Sequence, residues 1–285
     1  MEFETILYRT EDRIATVTLN RPEKRNALSP QMRNEILAAL RHAEGDDDVT
    51  VILIEGAGPS FCSGYDMSST AAGDPNPPRP QGWKSSKIYE NWTGQFPLSC
   101  IRDWMTIWGL LKPVVAKVHG YCLAGGSELM SFCDIAFVAD DALLGYPPTR
   151  AMATPDIEYF PWKVSMAQAK YLQLTGNVVT GERAEQIGWV AKSFPAAELD
   201  EAVMRELRPM SKIHPAILAA NKLALNQSYE AMGFRAALEA ATPWWTLARH
   251  YRPDAGEFQN MGRDEGLKVA LAWRDGPFRA EGFPL

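Results

Sequence analysis

Residues 120–134, G-Y-C-L-A-G-G-S-E-L-M-S-F-C-D, constrain this chain more than any other stretch. The apolar run Val114-Val115-Ala116-Lys117-Val118 precedes it and reads as a strand. Leu129, Met130 and Phe132 follow with helical spacing. Between the two, Gly125 and Gly126 let backbone lie close against a ligand. A strand–turn–helix of this kind aims free N–H groups and the positive end of a helix at one point. A carbonyl oxygen gaining negative charge there would be stabilised without reorganisation. Glu128 falls in the first helical turn, an acid/base group beside that point. The plainer alternative is Gly-Gly punctuation followed by a glutamate that complements the helix dipole.

A second stretch repeats the pattern. Val51-Ile52-Leu53-Ile54 reads as a buried parallel strand. It runs into E-G-A-G-P-S-F-C-S-G-Y-D-M at 55–67, a turn carrying Gly64 and Tyr65. Two such turns can each lend one N–H to a single oxyanion.

With these two stretches in hand, the chain resembles the crotonase, or enoyl-CoA hydratase/isomerase, superfamily. The resemblance rests on F-C-S-G-Y-D at 61–66, H-G-Y-C-L-A-G-G-S-E-L at 119–129 and C-D-I-A at 133–136. R-P-E-K-R-N-A-L-S at 21–29, L-T-G at 174–176 and A-E-Q-I-G-W-V at 184–190 support it, in the family's order, over roughly residues 5–275. It implies an α/β fold: a crotonase-like ββα spiral core over 1–198 and a C-terminal α-helical trimerisation region over 199–285. It further implies an acyl-CoA thioester substrate and a homotrimer or homohexamer, with coenzyme A entering only as part of the substrate and no separate cofactor. The backbone N–H groups of Tyr65 and Gly125 would form the oxyanion hole, with Glu128 as acid/base. Lys24 and Arg25 become candidates for the coenzyme's phosphates, with a solvated loop tip as the alternative. Leu28, Ser63, Asp66, Met67 and Tyr146 become candidates for substrate contact.

One departure from the family pattern bears on the reaction. Hydratases of this family set two glutamates around a bound water, the second following a G-x-P pattern. Gly145-Tyr146-Pro147 keeps that pattern, but the next residue is Pro148. Asp156 in A-T-P-D is the candidate second carboxylate, near where some members with other chemistry, including a dehalogenase branch, carry an aspartate. Glu158 is the alternative, and an N-cap would equally explain Asp156. Arg150 has a weaker claim. Enoyl-CoA hydration is the leading reaction; isomerisation, hydrolysis and an acyl-CoA binder that turns over weakly remain open.

Composition narrows the remaining classes. The 285 residues carry 35 acidic and 29 basic side chains, net −6, with no long basic run, which argues against a nucleic-acid partner. No apolar stretch approaches the roughly 20 residues of a membrane span. The N-terminus shows neither secretory nor transit character, so a cytoplasmic protein is expected. Cys62, Cys100, Cys122 and Cys133 have no disulfide-framework spacing and read as reduced buried thiols. Four scattered histidines form no ligand pair, so no metal is expected. G-A-G-P-S-F at 56–61 lacks the third glycine of a dinucleotide fingerprint. A nucleophile elbow and a P-loop are absent, and Ser63 has no evident His/Asp partner.

Along the rest of the chain, Thr5–Arg9 and Ile14–Leu19 predict a hairpin, and Ser29-Pro30 starts a helix that Gly45 stops. Residues 68–100, rich in proline at their start, read as an irregular connection. The resemblance implies that it borders the acyl pocket, with Trp83, Tyr89, Trp92 and Phe96 as candidate lining and plain aromatic packing as the alternative. A helix is expected over 101–111. Helices are further expected near 199–207, 215–227, 230–248 and 263–273, broken by Pro209, Pro215, Pro243 and Pro253. Trp244, Trp245, Phe258, Trp273 and Phe278 are candidates for subunit or core packing, and Arg279 or Lys268 for reaching a neighbour's coenzyme.

Overall fold

In the computed structural model, the described residues are 2–67 and 94–285. The chain opens with strands β1 (Ile6–Glu11) and β2 (Ile14–Leu19), then helix α1 (Pro30–Glu44) and strand β3 (Val51–Gly56). Helix α2 (Gln95–Gly109) leads to β4 (Val114–Val118), β5 (Tyr121–Leu123), α3 (Gly125–Phe132), β6 (Ile135–Ala139) and β7 (Leu143–Gly145). A 3-10 turn (Pro147–Arg150) precedes α4 (Phe160–Lys163), α5 (Met166–Thr175), β8 (Val178–Thr180), α6 (Gly181–Gln186) and β9 (Lys192–Phe194). From Leu199 onward the long elements are all helical: α7 (Leu199–Met210), α8 (Pro215–Ala231), α9 (Phe234–Ala240), α10 (Thr242–His250), α11 (Glu257–Asp264) and α12 (Leu267–Ala280).

Among the described residues, two sheets organise the core. The larger has six strands in the order β1-β2-β3-β4-β6-β9, antiparallel at β1–β2 and parallel elsewhere. The smaller, β5-β7-β8, pairs β5 and β7 in parallel and β7 and β8 antiparallel. Val51–Ile54 and Val114–Ala116 are buried, as strands covered on both faces must be. Ser29 Oγ accepts from the Met32 N–H and starts α1, whose Met32, Ile36, Leu37 and Leu40 enter the core. The four cysteines are buried and free.

Several boundaries differ from the sequence expectation. Helix α2 starts at Gln95, not near 101, because Gly94 at φ 59 turns the chain and Pro97 fits a first helical turn. The 230–248 pattern takes in the end of α8, then α9 and α10, parted at Met232–Gly233, where Gly233 has φ 95, and at Ala241; the 263–273 pattern is divided at Glu265–Gly266, where Gly266 has φ 96. Pro209 sits inside the last turn of α7 and does not break it. Asp156 begins no helix, so the N-cap alternative falls.

The C-terminal helices are tied to the sheet by a buried lysine. Lys222 on α8 donates to Asp134 Oδ2 at 2.7 Å and to the carbonyls of Ile107 and Lys112 at 2.9 and 3.2 Å. The same Asp134 oxygen accepts from the Val114 N–H. A buried ammonium with three acceptors is satisfied, and losing any one of them would be costly. No helix among the described residues is long and apolar enough to cross a membrane.

Candidate active site

The two glycine-bearing turns meet. Cys62 donates its N–H to the Tyr121 carbonyl at 2.9 Å, and the Leu123 N–H returns to the Cys62 carbonyl at 3.0 Å. A Cβ placed on Gly64, whose φ is +110°, would lie 3.5 Å from the Gly125 nitrogen. A Cβ on Gly125 would come within 2.7 to 2.8 Å of three atoms of the Tyr65 ring. Glycine is therefore required at both positions, by backbone angle at one and by close approach at the other. Ala124, the residue entering α3, is held at φ 50, ψ −124, a strained conformation for a side-chain-bearing residue. Among the described residues, neither the Tyr65 nor the Gly125 N–H donates to a protein acceptor.

Glu128 lies fully buried in the first turn of α3. Its Oε2 accepts from the Tyr65 hydroxyl at 2.7 Å, and its Oε1 accepts from the Ile157 N–H at 3.0 Å. Burial foremost, then the nearby charge of Asp156, pushes the Glu128 carboxyl well above the usual range. The two hydrogen bonds and the Arg33 guanidinium pull the other way.

Asp156, one residue before Ile157, is also buried. The Tyr146 hydroxyl donates to its Oδ2 at 2.5 Å, and Trp245 Nε1–H donates to its Oδ1 at 2.8 Å. The Asp156 N–H in turn donates to the Tyr146 oxygen at 3.0 Å. Burial pushes this carboxyl up to about 6, against the two donors and the positive charges of Arg249 and Arg33. Each carboxylate thus receives one phenol and one N–H donor, and both belong to one buried polar cluster.

Three contributors carried no signal in the sequence. Arg33 on α1 is buried, salt-bridged to Asp103 of α2 at 2.5 Å, and sits 5.2 Å over the Tyr65 ring. Trp104 of α2 donates to the Tyr65 oxygen at 3.0 Å. The Tyr65 side chain completes the set. Arg33 lies beside Met32 on the buried side of an amphipathic helix, which periodicity assigns to apolar residues. The other two reach the site through tertiary packing.

The remaining candidates separate. Tyr146 is 2% exposed and committed to Asp156. Leu28 is buried and pairs with Tyr65, its N–H meeting the Gly64 carbonyl and its carbonyl the Asp66 N–H. Asp66 forms a salt bridge with Arg21 at 2.8 Å. The Ser63 N–H binds the Arg25 carbonyl, joining that turn to the 21–28 loop. Lys24 and Arg25 are exposed, and Arg25 lies 5.0 Å over the Tyr121 ring. Met67 is half-buried at the edge of the described residues.

Glu158 accepts from Gln173 of α5 at 2.9 Å and makes no bond to Glu128. Arg150 pairs with Asp275 and stacks on Phe278, both of α12. Phe96 packs edge-on to Tyr65 and stacks with Trp245. Trp83, Tyr89 and Trp92 lie outside the described residues. Phe258 is buried, whereas Trp244, Trp273, Arg279 and Lys268 are exposed. Among the described residues, no cluster of three or more His, Cys, Asp or Glu could hold a metal ion.

This fold, with two glycine turns closing on a buried glutamate, belongs to a defined class. The sequence profile of the enoyl-CoA hydratase/isomerase family matches residues 9–245. The chain belongs to that family and is an enzyme of it. A solved enoyl-CoA hydratase/isomerase from Xanthobacter autotrophicus Py2 is 33% identical, with a TM-score of 0.86 over 97% of this chain and 99% of that one. A Mycobacterium tuberculosis protein assigned by name to the enoyl-CoA hydratases is 33% identical over 254 residues, 84% of this chain and 78% of its own. The hydroxycinnamoyl-CoA hydratase-lyase of Pseudomonas fluorescens is 30% identical over 231 residues, 77% of each chain.

Proposed function

We propose that the protein adds water across the double bond of a 2-enoyl-coenzyme A thioester. The observation that carries this reading is the buried Glu128 carboxylate in the first turn of α3, beside two turns whose leading N–H groups have no protein acceptor among the described residues. The Tyr65 and Gly125 N–H groups hold the thioester oxygen as negative charge develops on it. Glu128 takes a proton from water as the oxygen attacks the β carbon, then returns a proton to the α carbon of the enolate. Its raised proton affinity suits it to both halves of that exchange. Asp156 acts on Glu128 by charge, since both of its own oxygens are already bonded to donors.

Coenzyme A enters as part of the substrate, and the chemistry calls for no metal or redox group. Lys24 and Arg25 lie at the surface where a nucleotide phosphate can be met. A trimer or hexamer acting in the cytoplasm completes the reading. It is supported by exposed apolar residues on the C-terminal helices, Ile217, Leu225 and Trp244 among them, and by four buried free thiols.

A second reading, migration of the double bond, is favoured by Pro148 standing where hydratases of this family place their other glutamate. One carboxylate suffices to move a proton between two carbons of the same substrate. Crotonyl-CoA and a 3-enoyl-CoA, followed by enoyl absorbance, separate the two. Loss of absorbance that Glu128→Gln slows by about 10²–10⁴ establishes hydration. A gain of absorbance from the 3-enoyl thioester alone establishes isomerisation. Binding without turnover of any enoyl thioester overturns both.

A further inference from the structure

With Glu128 ionised, the hydrogen bond between Tyr65 and Glu128 runs in one direction, and a third residue supports it. Trp104 Nε1–H reaches the Tyr65 oxygen at 3.0 Å, and an indole nitrogen can only donate. The ionised Glu128 can only accept, so the phenol, already accepting from Trp104, gives its single proton to Glu128 Oε2 at 2.7 Å. The Ile157 N–H occupies Oε1. Both oxygens of Glu128 accept, which matches a carboxylate poised to take a proton. The Tyr65 ring cannot drift, because it lies on the bare Cα of Gly125, under Arg33 and edge-on to Phe96.

The geometry points to the Tyr65 side chain as a positioning residue for this reaction: its phenol holds Glu128 in one rotamer as the base, while the backbone N–H of the same residue serves the thioester oxygen. This rests on the acyl-CoA reading above and deepens it. A single residue then locks the distance between the charge that forms on oxygen and the group that moves the proton. Its backbone role would tolerate many side chains; its second role needs a hydroxyl at ring length.

The other groups facing Glu128 do not duplicate the phenol. Asp156, from the segment after the 3-10 turn, opposes ionisation of Glu128, and Arg33 of α1, itself paired to Asp103, favours it. Burial keeps the protons on Cys100 of α2, Tyr146 and Tyr159. Arg249 of α10 faces Asp156.

Tyr65→Phe tests the inference, since it removes the hydroxyl and leaves the backbone donor in place. In ligand-free enzyme, the infrared carbonyl band of protonated Glu128, identified by its absence in Glu128→Gln, is followed against pH. The midpoint should rise by about one pH unit in Tyr65→Phe, because a donor to the ionised form is gone. With an enoyl-CoA that the wild type turns over, kcat should fall at least about tenfold while KM changes little. Trp104→Phe should shift the midpoint in the same direction by less, and should add nothing in the Tyr65→Phe background. An unchanged midpoint in Tyr65→Phe overturns the inference, as does an unchanged midpoint in Trp104→Phe if the first variant fails to fold. Failure of the wild type to turn over any CoA thioester would remove the functional reading, and the infrared titration would still decide the role of the phenol.

Discussion

Trp245 and Asp156 are joined across 89 residues of chain by an indole N–H that meets the carboxylate oxygen at 2.8 Å. The bond ties helix α10 of the C-terminal region directly to the acidic centre of the core. Trp245→Phe keeps the stacking on Phe96 but leaves Asp156 Oδ1 without its donor. Stability should drop by about 1–3 kcal/mol, the cost of a buried acceptor losing its partner. Urea unfolding measures the loss, and a variant as stable as wild type would show that the bond contributes nothing.

Gly125→Ala places a methyl group on the Tyr65 ring, at a separation no real Cβ tolerates. The ring must move, and with it both the phenol on Glu128 and the turn that carries the Tyr65 N–H. Overpacking of this kind costs about 1–3 kcal/mol. Activity should suffer more than stability, because two distances that the proposed reaction uses change together. Steady-state kinetics beside thermal unfolding tests this; a loss of stability with kcat intact would contradict it.

Arg33 and Asp103 form a buried ion pair, with side chains 2% and 8% exposed. Arg33→Met strands the Asp103 carboxylate and should cost about 3–5 kcal/mol. The double replacement Arg33→Met with Asp103→Leu removes both charges and should recover much of that. A double-mutant cycle by denaturant unfolding reads the coupling, and additive losses would mean that the pair is not coupled.

The folded state holds the Asp156 proton up to about pH 6, above the carboxyl's ordinary value of 3.8. Between those two values the folded chain binds a proton that the unfolded chain has released. Stability therefore falls as pH rises through this window, by on the order of 3 kcal/mol in all. The contribution is complete below about pH 4 and gone above the folded value. Measured in a Glu128→Gln background, which keeps the neighbouring titration out, the slope between pH 4 and 6.5 should flatten when Asp156→Asn is added. Parallel curves for the two proteins would refute the shift.

Much of this site was legible in the chain because it is built from local backbone. Gly64-Tyr65 and Gly125 lie at the ends of apolar runs, and strand–turn–helix geometry needs no knowledge of distant residues. Glu128 follows from its place in the first helical turn. The helix starts at Ser29 and the hairpin at β1–β2 were read from the same local signals. Where neighbouring helices share one apolar pattern, as at 230–248, the boundary escaped, because periodicity does not register a single non-helical residue between two helices.

The amino-acid order alone determined the family, the two glycine turns and the acid beside them, since each depends on contacts within a few residues along the chain. Only the tertiary structure decided what those groups touch. Arg33, Trp104 and Trp245 converge on Tyr65, Glu128 and Asp156 from three helices, and Tyr146 proved to be a partner of Asp156. The physical reason is burial. Each of these polar atoms must find its partner in space once water is excluded, and the partner can sit anywhere in the chain that packing brings near.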